Sequence, residues 1–171
     1  MRKLLTTALL LSALTFTVIA DDQAVPAAWK PLQFLVGNWI GGGSGKPGDA
    51  AGEFSLAFDL DKHILVRRNH AQLAAKPGEK ATAHDDLMVI YPQGPAGTLR
   101  ADYFDNEGHV IHYATTFASN KAIFTGDAVP NTPRFRLTYE LKPDGLLAIE
   151  FAIAAPGKDF TPYVAGTAKR K

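Results

Sequence analysis

Glu53-Phe54-Ser55-Leu56-Ala57-Phe58-Asp59-Leu60 sets four large apolar side chains, Phe54, Leu56, Phe58 and Leu60, at every second position. That period of two belongs to a half-buried β-strand, whose successive side chains point to opposite faces. Asp61-Lys62 follows as a turn, and His63 to Leu73 reads as the partner strand. The same pattern recurs outward in both directions. Upstream, Gly37 to Gly43 forms a strand ahead of a flexible Gly45-Lys46-Pro47-Gly48 loop. Downstream, strands are predicted over Asp85 to Tyr91, Thr98 to Phe104, His109 to Phe117, Lys121 to Thr125, Arg134 to Leu141, Leu147 to Ile153 and Tyr163 to Arg170. Turn punctuation separates them: Lys76-Pro77-Gly78, Asp105-Asn106-Glu107-Gly108 and Pro143-Asp144-Gly145. No segment has a helical period long enough for a crossover helix. The reading is an all-β fold, an antiparallel up-and-down β-barrel of about ten strands, closed because closure removes exposed edges. Ahead of the first strand, Trp29 to Val36 carries Trp29, Leu32, Phe34 and Leu35, and Pro31 limits it to a short 3₁₀ segment.

The chain has 171 residues, one domain's worth. Residues 1–20 read as a secretory signal peptide: Arg2 and Lys3, an apolar run from Leu4 to Ile19, then the small residues Val18 and Ala20 at the cleavage site. Residues 21–28 read as a flexible leader and 29–171 as the barrel domain. Cleavage removes two of the 18 Lys+Arg, leaving 16 against 17 Asp+Glu, a formal charge of −1. Near-neutrality gives no electrostatic reason to bind nucleic acid or anionic lipid, and no membrane anchor is expected after cleavage. With no cysteine, disulfides, thiol chemistry and lipoprotein attachment are excluded. The expected location is a bacterial periplasm or the medium outside the cell.

Phe34-Leu35-Val36-Gly37-Asn38-Trp39, continued by Gly41-Gly42-Gly43, resembles the opening of calycin barrels, the superfamily of lipocalins, fatty-acid-binding proteins and nitrobindin-type haem barrels. The Gly-x-Trp-x-Gly-x-Gly start, matched at Gly37, Trp39, Gly41 and Gly43, is most similar to the nitrobindin type. The resemblance implies that Trp39 plugs the closed end, with a basic residue of the last strand, Lys169 or Arg170, over its indole. Gly37, Trp39 and Arg170 are therefore assigned structural roles. In nitrobindin-type barrels a histidine of the last strand ligates haem iron. Tyr163 stands at that position here. Tyrosine can ligate ferric haem, but the departure places haem behind an unassigned ligand, and no cofactor is expected.

Polar residues on the middle strands supply the candidate site. Arg68 and His70 share a face with Ile64 and Val66, while Leu65, Arg67, Asn69 and Ala71 share the other. With the Asp105 to Gly108 hairpin closing at Asn106-Glu107, Phe104 falls opposite about His109, and Asp102 near Ile111. Arg68, His70, Asp86, Asp102 and His112 are then expected to converge on one region of wall, with at least two facing inward. Arg68 would hold an anion through its forked donors. His70 and His112 would act as acid/base groups or ligands, oriented by Asp86 or Asp102. The alternative is that these charges line the solvated outer face and pair across strands. No metal is expected: His70, His84, His112 and Asp86 contain no short chelating pair, and His109-x-x-His112 straddles a strand. Gly43-Ser44-Gly45 and the Gly41 to Gly48 run lack the strand–turn–helix settings of a nucleophile elbow or phosphate loop. Apolar faces with Phe54, Phe58, Phe135, Tyr139, Phe151 and Ile153 would line a cavity. The expected function is binding of a small hydrophobic or amphipathic molecule with a polar or anionic end, at Arg68, His70, Asp86, Asp102, His112 and Tyr163. An enzyme using the Arg/His/Asp patch, a haem binder and a filled interaction module are the other readings.

Overall fold

The computed structural model describes residues 25–42, 50–73, 82–95 and 97–171. The expected signal peptide, the start of the leader, Gly43, the Gly45 to Gly48 loop and the Lys76 to Gly78 break lie outside the described residues. A 3₁₀ segment, Ala27–Leu35, precedes ten strands. They are β1 (Gly37–Gly41), β2 (Ala50–Asp59), β3 (Ile64–Leu73), β4 (Thr82–Gln93), β5 (Thr98–Asp105), β6 (Val110–Ala118), β7 (Lys121–Gly126), β8 (Arg134–Leu141), β9 (Leu147–Ala154) and β10 (Thr161–Arg170). Each pairs antiparallel with its sequence neighbours, and β10 pairs back onto β1, so the sheet is a closed up-and-down barrel.

Alternation decides what faces in. On β7, Ala122, Phe124 and Gly126 are buried while Lys121, Ile123 and Thr125 are half-exposed. Phe54, Leu56, Leu65, Met88, Ile90, Ala101, Tyr113, Leu137 and Tyr139 continue this inner layer around the ring.

The 3₁₀ segment closes one end. Its Trp29, Leu32 and Leu35 are buried; Trp29 Nε1 donates to the Lys62 carbonyl (2.8 Å), and its ring meets Phe58 edge-on. Trp39 is 1% exposed, stacks on Phe54 and donates from Nε1 to the Leu35 carbonyl (2.8 Å). Of the two basic residues ending β10, Arg170 takes the place over the indole, 4.5 Å from the ring centroid. Its Nη1 and Nη2 donate to the carbonyls of Val36 (2.7 Å) and Phe34 (2.9 Å), which the end of the 3₁₀ segment leaves unpaired. Lys169 lies one residue out of phase, opposite Ile40. Gly37 has φ +130°, and a Cβ there would sit 2.6 Å from Arg170 Nη1, so this position takes only glycine without strain.

Several expectations are corrected. Leu60 does not join the apolar face of β2. The strand stops at Asp59, and Leu60, Asp61 and Lys62 all take positive φ, leaving Leu60 65% exposed in the turn. Strand β4 is longer than expected and includes Pro92, tolerated because it lies near the strand's end. The β5–β6 hairpin is shifted by one residue: Phe104 opposes Val110, and Asp102 directly opposes His112. The reason is the turn. Gly108 (φ +91°) donates to the Asp105 carbonyl, and Asp105 Oδ1 accepts from the backbone of Glu107 and His109, so the loop takes in Gly108 as well.

Candidate functional site

The inner face of β3 is set by its pairing with β2: Phe54 opposes Asn69 and Leu56 opposes Arg67. The inward residues of β3 are therefore Leu65, Arg67, Asn69 and Ala71. On β4, Asp86 opposes Asn69 and Met88 opposes Arg67, so His84 and Asp86 share the inner face with Met88 and Ile90. On β5 the same register turns Ala101, Tyr103 and Asp105 inward.

Arg67 is buried, at 7% exposure, and the side chains of Asp86 and Asp105 are buried with it. Its Nη1 donates to Asp86 Oδ1 in an ion pair, and Asn69 Nδ2 donates to Asp86 Oδ2 (3.0 Å). The guanidinium also lies over the Phe54 ring. From Asp86 a polar chain runs to the rim. His84 Nε2 is 3.5 Å from Asp86 Oδ2 and 3.0 Å from the Tyr103 hydroxyl. That hydroxyl donates to Asp105 Oδ2 (3.2 Å), which also contacts His109 Nδ1 (2.9 Å). His84 Nδ1 reaches Glu107 (3.2 Å). Tyr113 and Tyr139 face the same layer from β6 and β8, joined through Phe124 by edge-on rings.

Two atoms of this layer, Arg67 Nε and the Tyr139 hydroxyl, are fully buried and outside good hydrogen-bond geometry, though the hydroxyl lies against the Arg67 side chain. Buried polar groups are nearly always paired, so an unpaired neighbouring set calls for a reason. Burial pushes the Asp86 carboxyl above its ordinary value, against the pull of Arg67, His84 and Asn69. Burial also opposes the charge of Arg67, but the Asp86 carboxylate answers it at neutral pH, and the guanidinium stays a cation. Burial drives Tyr139 up to about 12 and pushes Tyr103 and Tyr113 up as well. All three remain phenols at neutral pH. At the rim, burial works against the Asp105 charge, but the backbone and ring of His109 and the Glu107 N–H hold the carboxyl low.

The inward residues beyond this layer keep some exposure. Tyr103, Ile111, Phe135, Ile149 and Phe151 pack on the core but are only partly buried. Val164, opposite Phe151, is 54% exposed. The interior is thus a cup with a polar floor and one polar side (β3–β5), faced by an aromatic and aliphatic side (β8–β10).

Of the expected site residues, Asp86 alone among Arg68, His70, Asp86, Asp102 and His112 is in this layer. Arg68 and His70 are exposed on the outer face of β3, where His70 pairs with Asp85 (2.6 Å). Asp102 and His112 pair with each other outside, also at 2.6 Å. The set does not converge; the wall separates it. The inward neighbours Arg67 and Asn69, with His84 and Tyr103, occupy the place expected for Arg68 and His70. A depression lined by Glu53, Arg68, His70 and Lys171 lies on the outer wall, where Glu53 and Lys171 already pair (2.9 Å).

Tyr163 sits in a bulge of β10 between Pro162 and Val164, 72% exposed, its ring edge-on to Phe151. No group of three His, Asp or Glu side chains among the described residues is arranged to hold a metal ion. No protein-family model matches the chain, and no curated protein matches it.

Proposed function

We propose that this protein is an exported barrel that holds a small, largely apolar molecule in its cup, with the molecule's polar end on the floor formed by Arg67, Asn69, Asp86 and Tyr139. The unpartnered pair of Arg67 Nε and the Tyr139 hydroxyl carries this reading. A structural barrel gains nothing by burying a guanidinium beside an unsatisfied phenol, since each unmade hydrogen bond costs about 1–3 kcal/mol. A ligand oxygen would relieve both. The apolar side, with Phe135, Ile149, Phe151 and Val164, suits a hydrocarbon body. The Arg2-Lys3 start and the apolar run that follows support export. The 3₁₀ lead-in, the Gly37-x-Trp39 strand and Arg170 over the indole support kinship with calycin barrels.

The test is fluorescence of N-phenyl-1-naphthylamine, a neutral apolar probe. Saturable enhancement that alkyl-chain compounds displace, and that Val164→Asp at the cup wall weakens, is the expected result. Absence of saturable uptake would remove the reading.

A second reading has one specific support. His84 touches Asp86, Tyr103 and Glu107 at once, the setting of an acid/base group beside a cavity. Turnover of a bound ligand that disappears in His84→Gln, with probe uptake retained, would favour an enzyme.

A further inference from the structure

We infer that the polar end of the ligand is an uncharged hydrogen-bond acceptor, such as an amide, ester or ketone oxygen, and not a carboxylate; this rests on the interior-binding reading above. The charge pattern of the cup carries it. Arg67 is the cation of the floor, and Asp86 already engages it. Asp86 is itself held by Asn69, which has no charge to add. Asp105 and Glu107 bring two further carboxylates to the polar side, shared among His84, His109 and the Tyr103 hydroxyl. Among the described residues the polar side holds three carboxylates against one guanidinium, with two imidazoles between them. The facing strands add phenols and hydrocarbon: Tyr113 on β6, Phe124 on β7, Tyr139 on β8, Phe151 on β9 and Val164 on β10. Arg170, the next cation in the inner phase, is spent at the closed end on Trp39, Val36 and Phe34.

Among the described residues a ligand carboxylate would meet no cation of the inner face that is not already engaged, and a buried charge without a partner is strongly disfavoured. A neutral oxygen has no such difficulty. Such an oxygen can accept from Arg67 Nε–H and the Tyr139 O–H once it is admitted to the buried floor, without disturbing the Arg67–Asp86 pair.

Displacement of N-phenyl-1-naphthylamine by decanamide, methyl decanoate and decanoate at mildly alkaline pH tests this on the full chain. The neutral pair should bind at least roughly tenfold more tightly than decanoate. Asp86→Asn removes the anion but keeps the shape, releases Arg67, and should reverse the order. Should Asp86→Asn not fold, Tyr139→Phe decides: the margin of decanamide over decanoate should shrink roughly tenfold, and an unchanged margin overturns the inference. Wild-type protein that prefers decanoate, or does not discriminate, overturns the inference and leaves interior binding standing. Failure of the probe and all three compounds to bind removes the interior-binding reading, and this inference with it.

Discussion

Arg67 and Asp86 hold each other in place, and neither is comfortable alone. Removing one partner of a buried ion pair leaves an uncompensated charge, so Arg67→Ala should cost about 3–5 kcal/mol in urea unfolding. The double variant Arg67→Met with Asp86→Leu should recover most of that loss, because an apolar pair of similar volume carries no desolvation cost. Two carboxyls also titrate in opposite senses. The Asp86 value is raised by folding, so its contribution is full below about pH 3.9 and is lost as pH rises through the folded value. The Asp105 value is lowered, so its contribution is present above about pH 3.9 and is lost as pH falls through the folded value. Urea midpoints followed from neutral pH into acid should therefore fall more steeply in Asp86→Asn than in wild type, and less steeply in Asp105→Asn. Parallel curves for all three proteins would contradict this. At this scale the sequence identified Asp86 and the presence of basic and imidazole groups near it. It did not separate Arg67 from Arg68, because both faces of β3 carry apolar residues, Ile64 and Val66 on one and Leu65 and Ala71 on the other.

Hairpins are what separate them. A turn at Asp61-Lys62 places Phe58 opposite Leu65, Leu56 opposite Arg67 and Phe54 opposite Asn69. The unambiguous apolar face of β2 thus dictates the inner face of β3, and a one-residue error exchanges every side chain across the wall. The β5–β6 hairpin shows the same sensitivity: including Gly108 in the loop puts Asp102 opposite His112, both outside. At the other end, the junction of the 3₁₀ segment with β1 depends on backbone conformation. Gly37→Ala forces a side chain into positive φ and against Arg170, and should cost about 1–3 kcal/mol in thermal unfolding. Arg170→Lys should not preserve stability there, because an ammonium cannot bridge the Val36 and Phe34 carbonyls while stacking on Trp39.

Among the described residues the barrel closes on its shortest seam. Strand β1 pairs with β10 at Trp39–Arg170, Ile40–Lys169 and Gly41–Ala168, flanked by hydrogen bonds from Gly42 to Thr167 and from Lys171 to Asn38, whereas β2 and β3 pair from Ala50–Leu73 through Asp59–Ile64. Hydrogen exchange should therefore show the seam amides opening before those of β2, β3 and β4. Uniform protection across all ten strands would contradict that order. About ten strands, the 3₁₀ segment and an all-β barrel follow from the chain read alone, because alternation, glycine and proline are local signals. The inner face of each strand follows from pairing register, which is a relation between segments that local pattern does not contain. Only the closed ring brings Arg67, Asp86, His84, Tyr103 and Tyr139 together from four strands, and only there do Arg67 Nε and the Tyr139 hydroxyl lie buried without a partner.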